Sequence, residues 1–240
     1  MMGPGRDAGS MGYDKGFTFS PEGRLHQLEY ALESVKHGTL AIGIKCPEGA
    51  SLVVQRRLST PLMDPAGINK VYQIDEHVGC AIAGLHADAR VLVDYARVQA
   101  QVHRLYYDEP VRLQILVKKL ADVKQMYTQH GGVRPFGSAL LLIGYDADGP
   151  QLFTTSPSGT YWSWKSHGIG FNESEAREFL EQEYKEDLSL FDAQVLASRA
   201  LKQAVEEELT LEMLQIALVD DSRQFRIASD DEVKRVFEAL

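Results

Sequence analysis

Several apolar runs in this chain are separated by turns too short for any crossover. Residues 39–45 and 51–57 flank Pro47-Glu48-Gly49, and 71–75 and 78–83 are almost contiguous. Residues 138–146, 151–156 and 161–166 are divided by Asp148-Gly149-Pro150 and Pro157-Ser158-Gly159. Gly and Pro clusters of this kind mark turns. A parallel pair needs a connection of about a dozen residues, so these runs must pair as antiparallel hairpins, which excludes a doubly wound parallel sheet.

Helical periodicity occupies the remaining segments. A first helix is predicted over 21–37, with Ser20 as cap, Pro21 at the first position, a stripe of Leu25, Leu28, Leu32 and Val35, and Gly38 as stop. Long helices are predicted over 87–106 and 111–130. Another begins at Asn172 with Glu175 as capping partner, and one spans 192–207. A late hairpin, 213–219 with 224–227, precedes a helix opened by a Ser229–Glu232 capping box and striped by Val233, Val236, Phe237 and Leu240. The run 161–166 alternates Tyr161, Ser163 and Lys165 on one face with Trp162 and Trp164 on the other.

Two antiparallel sheets face to face, covered by helices on both outer faces, would bury the apolar surface of a 240-residue chain that is 44% hydrophobic. The expected class is α+β, a four-layer α-β-β-α sandwich forming one domain over 13–240, with a disordered, Gly-rich tail over 1–12. No window approaches a membrane span, and the start lacks an apolar signal core, so a cytoplasmic protein is expected. The net charge of −9 argues against a nucleic-acid surface. Cys46 and Cys80 read as buried free thiols, and the seven histidines show no metal-ligand spacing. No metal or cofactor is expected.

Ser20-Pro21, Gly23-Arg24, Gln27 and Glu29-Tyr30-Ala31 resemble the N-terminal helix segment of proteasome α subunits. Tyr13-Asp14, Ala83-Gly84-Leu85 with 87–93, and Tyr127-Thr128-Gln129 with 131–137 extend the resemblance along nearly the whole chain. It implies the N-terminal nucleophile hydrolase fold and a noncatalytic role: α subunits in seven-membered rings stack on β rings, gate the passage of unfolded proteins to the proteolytic chamber, and dock activator ATPases. By correspondence, Tyr13, Asp14, Pro21 and Tyr30 form the gate cluster. Lys70, with Glu29, Gly84, Leu85 and His86, lines a groove between adjacent subunits that receives the carboxylate of an activator tail ending in hydrophobic residue, Tyr, any residue. His130, Gly131 and Gly132 ring the pore. Three positions depart from the pattern: Lys15 replaces an Arg, the Tyr13 to Pro21 spacing is one residue short, and His86 stands where a small aliphatic residue is common.

The competing reading is a β-type threonine peptidase self-processed between Gly38 and Thr39. That chemistry needs a free α-amine beside the Thr hydroxyl, a lysine, and carboxylates to tune them. Lys70 matches the lysine, but Gln55 and Val195 occupy the acid positions, and Gly170-Phe171-Asn172 replaces a Gly-Ser-Gly turn. An unrelated amidohydrolase of the same superfamily would need a Ser or Cys nucleophile at a released N-terminus, and nothing in the sequence supplies one.

Overall fold

The computed structural model describes residues 18–57, 62, 69–205 and 208–240. Among the described residues, ten strands form two antiparallel sheets. The first has the order β10-β9-β2-β1-β8, built from β1 (Ala41–Cys46), β2 (Gly49–Gln55), β8 (Ser166–Ile169), β9 (Leu214–Asp220) and β10 (Arg226–Ile227). The second runs β3-β4-β5-β6-β7, from β3 (Val71–Asp75), β4 (Val78–Gly84), β5 (Ser138–Asp146), β6 (Gly149–Thr155) and β7 (Tyr161–Ser163). The short turns behave as expected: Cys46 pairs with Gly49, Asp75 with Val78, and Asp146 with Gly149.

Three apolar layers result. Between the sheets lie Ala41, Leu52 and Val54 of one, and Ala81, Ala139, Leu141, Ile143 and Leu152 of the other. The outer face of the first sheet, including Ile42, Ile44 and Ile216, packs under α4 (Glu173–Glu183), α5 (Leu190–Ala204) and α6 (Asp230–Glu238). On the second sheet Ile82, Leu140 and Leu142 pack under α2 (His86–Tyr107) and α3 (Leu113–Tyr127). This is the four-layer sandwich. Both cysteines are free and buried within it, and burial pushes the Cys80 thiol up to about 12.

Several boundaries differ from expectation for identifiable reasons. Helix α1 is His26–Lys36 rather than 21–37. Ser20 to Gly23 form a reverse turn in which Gly23 N donates to Ser20 O at 2.8 Å, and Ser20 Oγ accepts from Arg24 N at 3.2 Å instead of capping the helix. Gly23 takes φ +78°, a conformation that stops Pro21 from opening a helix. The buried residues of α1 are Ala31 and Val35, whereas Leu32 faces outward.

The run 161–166 is two strands in different sheets. After β7 the chain crosses at Trp164, whose indole donates to Thr154 Oγ1 at 2.8 Å and stacks on His167 with ring centres 4.0 Å apart. Trp162 stays exposed while Trp164 packs against the intersheet layer, so the two do not share a face. Asn172, at φ +52°, makes no cap with Glu175, because its side-chain amide donates to Ala204 O at 3.0 Å. Helix α5 starts at Leu190, capped by Ser189 through Asp192 N at 3.1 Å. The Ser229–Glu232 capping box forms as read.

One core residue had no sequence signal. Lys124 on α3 is fully buried and donates to Ser138 O at 3.0 Å, Thr155 O at 3.2 Å and Thr155 Oγ1 at 2.8 Å, tying the helix to the start of β5 and the end of β6. Burial lowers its pKa to about 7. Below pH 7 the folded chain holds a buried ammonium. Between about 7 and the ordinary value near 10.4 the unfolded chain binds more protons, so stability rises with pH, by up to about 1.4 kcal/mol per unit for one such group. Thermal midpoints measured from pH 6 to 9 should therefore climb in the wild type once other titrations are matched. Lys124→Met should make the climb shallower, leaving the part that the similarly shifted Lys70 contributes, and lower the midpoint at pH 9, where the two N–H donors of the neutral amine are lost.

Candidate functional site: the end of the sandwich beneath the first helix

Helix α1 lies across the point where β4 ends and β5 begins, and glycines permit the approach. A Cβ on Gly38 would sit 2.4 Å from Gly84 N, and one on Gly84, itself at φ +99°, would sit 2.2 Å from Gly137 O. Leu85 N donates to Gly137 O at 2.9 Å, which fixes the first residues of α2 at the same end. The backbones of Gly38, Gly84 and Gly137 thus meet with no room for side chains.

Lys70, just before β3, is 3% exposed. Its ε-amine donates to Thr39 O at 2.6 Å and also contacts Thr39 Oγ1. That hydroxyl in turn donates to Gln55 O at 3.1 Å. Burial lowers the Lys70 pKa to about 7, and among the described residues no carboxylate pairs with it. Thr39 is locked on both sides: Gly38 O accepts from Phe171 N at 2.7 Å, and Gly170, at φ +107°, would drive a Cβ to 2.6 Å from Thr39 O. Gln55 and Val195, at the acid positions, are both buried.

The remaining residues of the expected groove are placed as follows. His86 opens α2, and its pKa is lowered by partial burial and then by the charge of Lys70. Leu85 is exposed. Glu29 on α1 takes a two-pronged contact from Arg24, Nε to Oε1 at 2.8 Å and Nη2 to Oε2 at 2.6 Å, which holds its carboxyl below the ordinary range. His86 lies close enough to Lys70 to feel its charge, Gly84 and Leu85 immediately precede His86 on the chain, and Glu29 is engaged with Arg24. Of the expected gate cluster, Pro21 sits in the exposed turn and Tyr30 is an exposed residue of α1. Tyr13, Asp14 and Lys15 lie outside the described residues, as does the 1–12 tail.

The expected pore loop follows α3. His130 Nδ1 donates to Met126 O at 2.7 Å, while Gly131 and Gly132 stand in open space, the latter at φ +86°. An ion pair missed in the sequence anchors this loop. Arg134 reaches the buried Asp88 on α2 with Nη1 at 2.5 Å and Nη2 at 2.7 Å, and Asp88 also accepts from Gly137 N at 2.8 Å. The Arg134 contact is the main cause that keeps the Asp88 pKa low, assisted by Gly137. Asp88 falls in the 87–93 motif and Arg134 in the 131–137 motif, but the two are far apart in sequence, and nothing local pairs them.

Comparison with known proteins identifies the family. A family model described as "Proteasome subunit" matches residues 35–219, and a second model, for the N-terminal signature of A-type proteasome subunits, matches 13–33. The chain is similar to the proteasome alpha subunit of Methanopyrus kandleri, 51% identical over 229 residues covering 95% of this chain and 93% of the relative. It is also similar to the proteasome alpha subunits of Archaeoglobus fulgidus, 49% identical over 93% of this chain and 92% of the relative, and Methanothermobacter thermautotrophicus, 46% identical over 96% and 94%.

Because Asp88 holds two donors while most of Arg134 faces solvent, the carboxylate matters more than its partner. Asp88→Ala should cost about 2–3 kcal/mol, and Arg134→Ala about 1 kcal/mol or less. The Asp88 contribution is present above the ordinary carboxylate pKa and is lost as pH falls through the depressed value. Urea unfolding of both variants at pH 7 and pH 3 would check the order and the sign.

Proposed function

We propose, for a chain that belongs to the proteasome subunit family and to its α branch, a noncatalytic ring subunit that guards the entrance to a proteolytic chamber and receives activators on its outer face. Membership itself places the chain in the core particle of a protein-degrading complex, assembled with other proteasome subunits in rings. The proposal adds the seven-membered ring, unfolded proteins as the cargo, a cytoplasmic location and the residue assignments.

The observation that carries the noncatalytic reading is the environment of Thr39. A threonine peptidase needs the α-amine at this position free and an acid beside the lysine. Here the peptide before Thr39 is held by Phe171 N, the following carbonyl by Lys70, and the acid positions are Gln55 and Val195. The α-type N-terminal signature supports the same reading over a β-type peptidase.

For the docking role, Lys70 beside Leu85 and His86 supplies a cation for a terminal carboxylate, a charge-assisted contact. For the gate, Pro21 and Tyr30 stand exposed at the same end as the start of the described chain, where a tail carrying Tyr13 and Asp14 could share hydrogen bonds with a phenol. For the pore, the open Gly131-Gly132 loop, braced by Asp88 and Arg134, offers a narrow backbone rim. Val91, Val98 and Leu105 recur at heptad spacing along the exposed face of α2, a stripe suited to a helix of the stacked β ring.

In assembled particles, Lys70→Ala should abolish activator-stimulated peptide hydrolysis while rings still form, and unchanged stimulation would refute the docking role. Deleting residues 1–12 should speed basal hydrolysis of peptides by removing the gate. Equal basal rates before and after deletion would count against it.

A further inference from the structure

We propose that capture of an activator's terminal carboxylate at Lys70 is proton-linked, the ε-amine taking a proton from solvent as it exchanges neutral surroundings for the carboxylate, so that docking weakens as pH rises above neutrality. The inference rests on the docking reading of Lys70 given above and adds its regulation.

The geometry sets a neutral cradle around a buried amine. Lys70 is 3% exposed, and its described acceptors are the carbonyl and the hydroxyl of Thr39, neither of them charged. The Thr39 hydroxyl spends its proton on Gln55 O, which leaves its lone pairs turned to the lysine. An ammonium has three donors, and the two described acceptors leave one N–H for an incoming ligand. The elements packed against Lys70 bring little compensation. From the segment before β1 comes Thr39, from β4 the uncharged Ile82, whose N–H donates to Lys70 O at 3.1 Å, and from α2 His86, a second potential cation. Among the described residues no carboxylate pairs with the amine.

Desolvation without a counter-ion favours the neutral amine, in keeping with a pKa near 7. A carboxylate brought into contact favours the ammonium. Above about pH 7 the free site is mostly neutral, so docking must import a proton, and affinity should fall by up to about tenfold per pH unit. Below that value the free site is already charged and affinity levels off. The tail's own carboxyl and its tyrosine titrate well outside this window.

The test uses assembled rings of the full-length chain and an N-acetylated synthetic peptide ending in hydrophobic residue, Tyr, any residue, with a free carboxylate. Calorimetric titrations at pH 6, 7, 8 and 9, each in two buffers of different ionisation heat, read affinity and proton uptake together. The expected result is an affinity at least tenfold weaker at pH 9 than at pH 7, with uptake approaching one proton per site above pH 8. The C-terminally amidated peptide should show no uptake. His86→Gln should keep the pH dependence, and its loss there would overturn the assignment to Lys70. The nitrogen-15 shift of the Lys70 ε-amine in unliganded rings should titrate with a midpoint near 7, a readout that needs neither reagent access to a buried group nor a variant that must fold. Tail binding that is lost in Lys70→Ala but shows neither pH dependence nor uptake would overturn proton linkage and leave the docking role standing. Absent binding, or binding indifferent to Lys70→Ala, would remove the docking role and this inference with it.

Discussion

The layer between the two sheets is the constraint on which the rest depends. Gly43 in β1 has no room for a side chain, since a Cβ there would lie 2.6 Å from a Leu152 methyl and 3.2 Å from Leu141. Gly79 in β4 faces the Phe225 ring at still closer range. The central strands are also covered on their outer faces and so are apolar on both sides: Ala139, Leu141 and Ile143 point inward while Leu140 and Leu142 meet α2 and α3. With both faces occupied, variation is left to the ends of the sandwich.

At one of those ends the fold brings Thr39 and Lys70 into contact. Close approach of the Gly38, Gly84 and Gly137 backbones seats α1 over that end, and Phe171 and Lys70 secure the chain on either side of Thr39. Lys70 is a buried amine whose acceptors, among the described residues, are uncharged, and on the proposed reading it meets an external carboxylate. The same stretch of α2 that begins at His86 carries Asp88, which braces the loop bearing Gly131 and Gly132. The proposed docking groove and the proposed pore loop therefore hang from one helix end.

The hairpins were legible because turn chemistry is local: Pro47-Glu48 and Ala147-Asp148 connect strands with no alternative partner within reach. Continuous apolar runs such as 139–143 would by themselves suit a parallel sheet buried on both faces, and the short turns decide against it. The Ser229–Glu232 box was equally local. The helix start at His26 was not, because Ser20 and Pro21 serve a turn as readily as a cap and the left-handed Gly23 settles the choice. The break at Trp164 depends on Thr154 and His167, and the burial of Lys124 on acceptors from β5 and β6, both long-range facts. Of the site, Lys70, Gly84, Leu85 and His86 were named together, but the hydrogen bonds joining Lys70 to Thr39 and Arg134 to Asp88 arise only from the fold.

Native mass spectrometry of the purified full-length chain tests the central claim most directly, because it reads processing and assembly in one spectrum. An intact 26.7 kDa chain assembled in a ring of subunits is the expected result. A mature chain beginning at Thr39 would contradict it and make this subunit the protease.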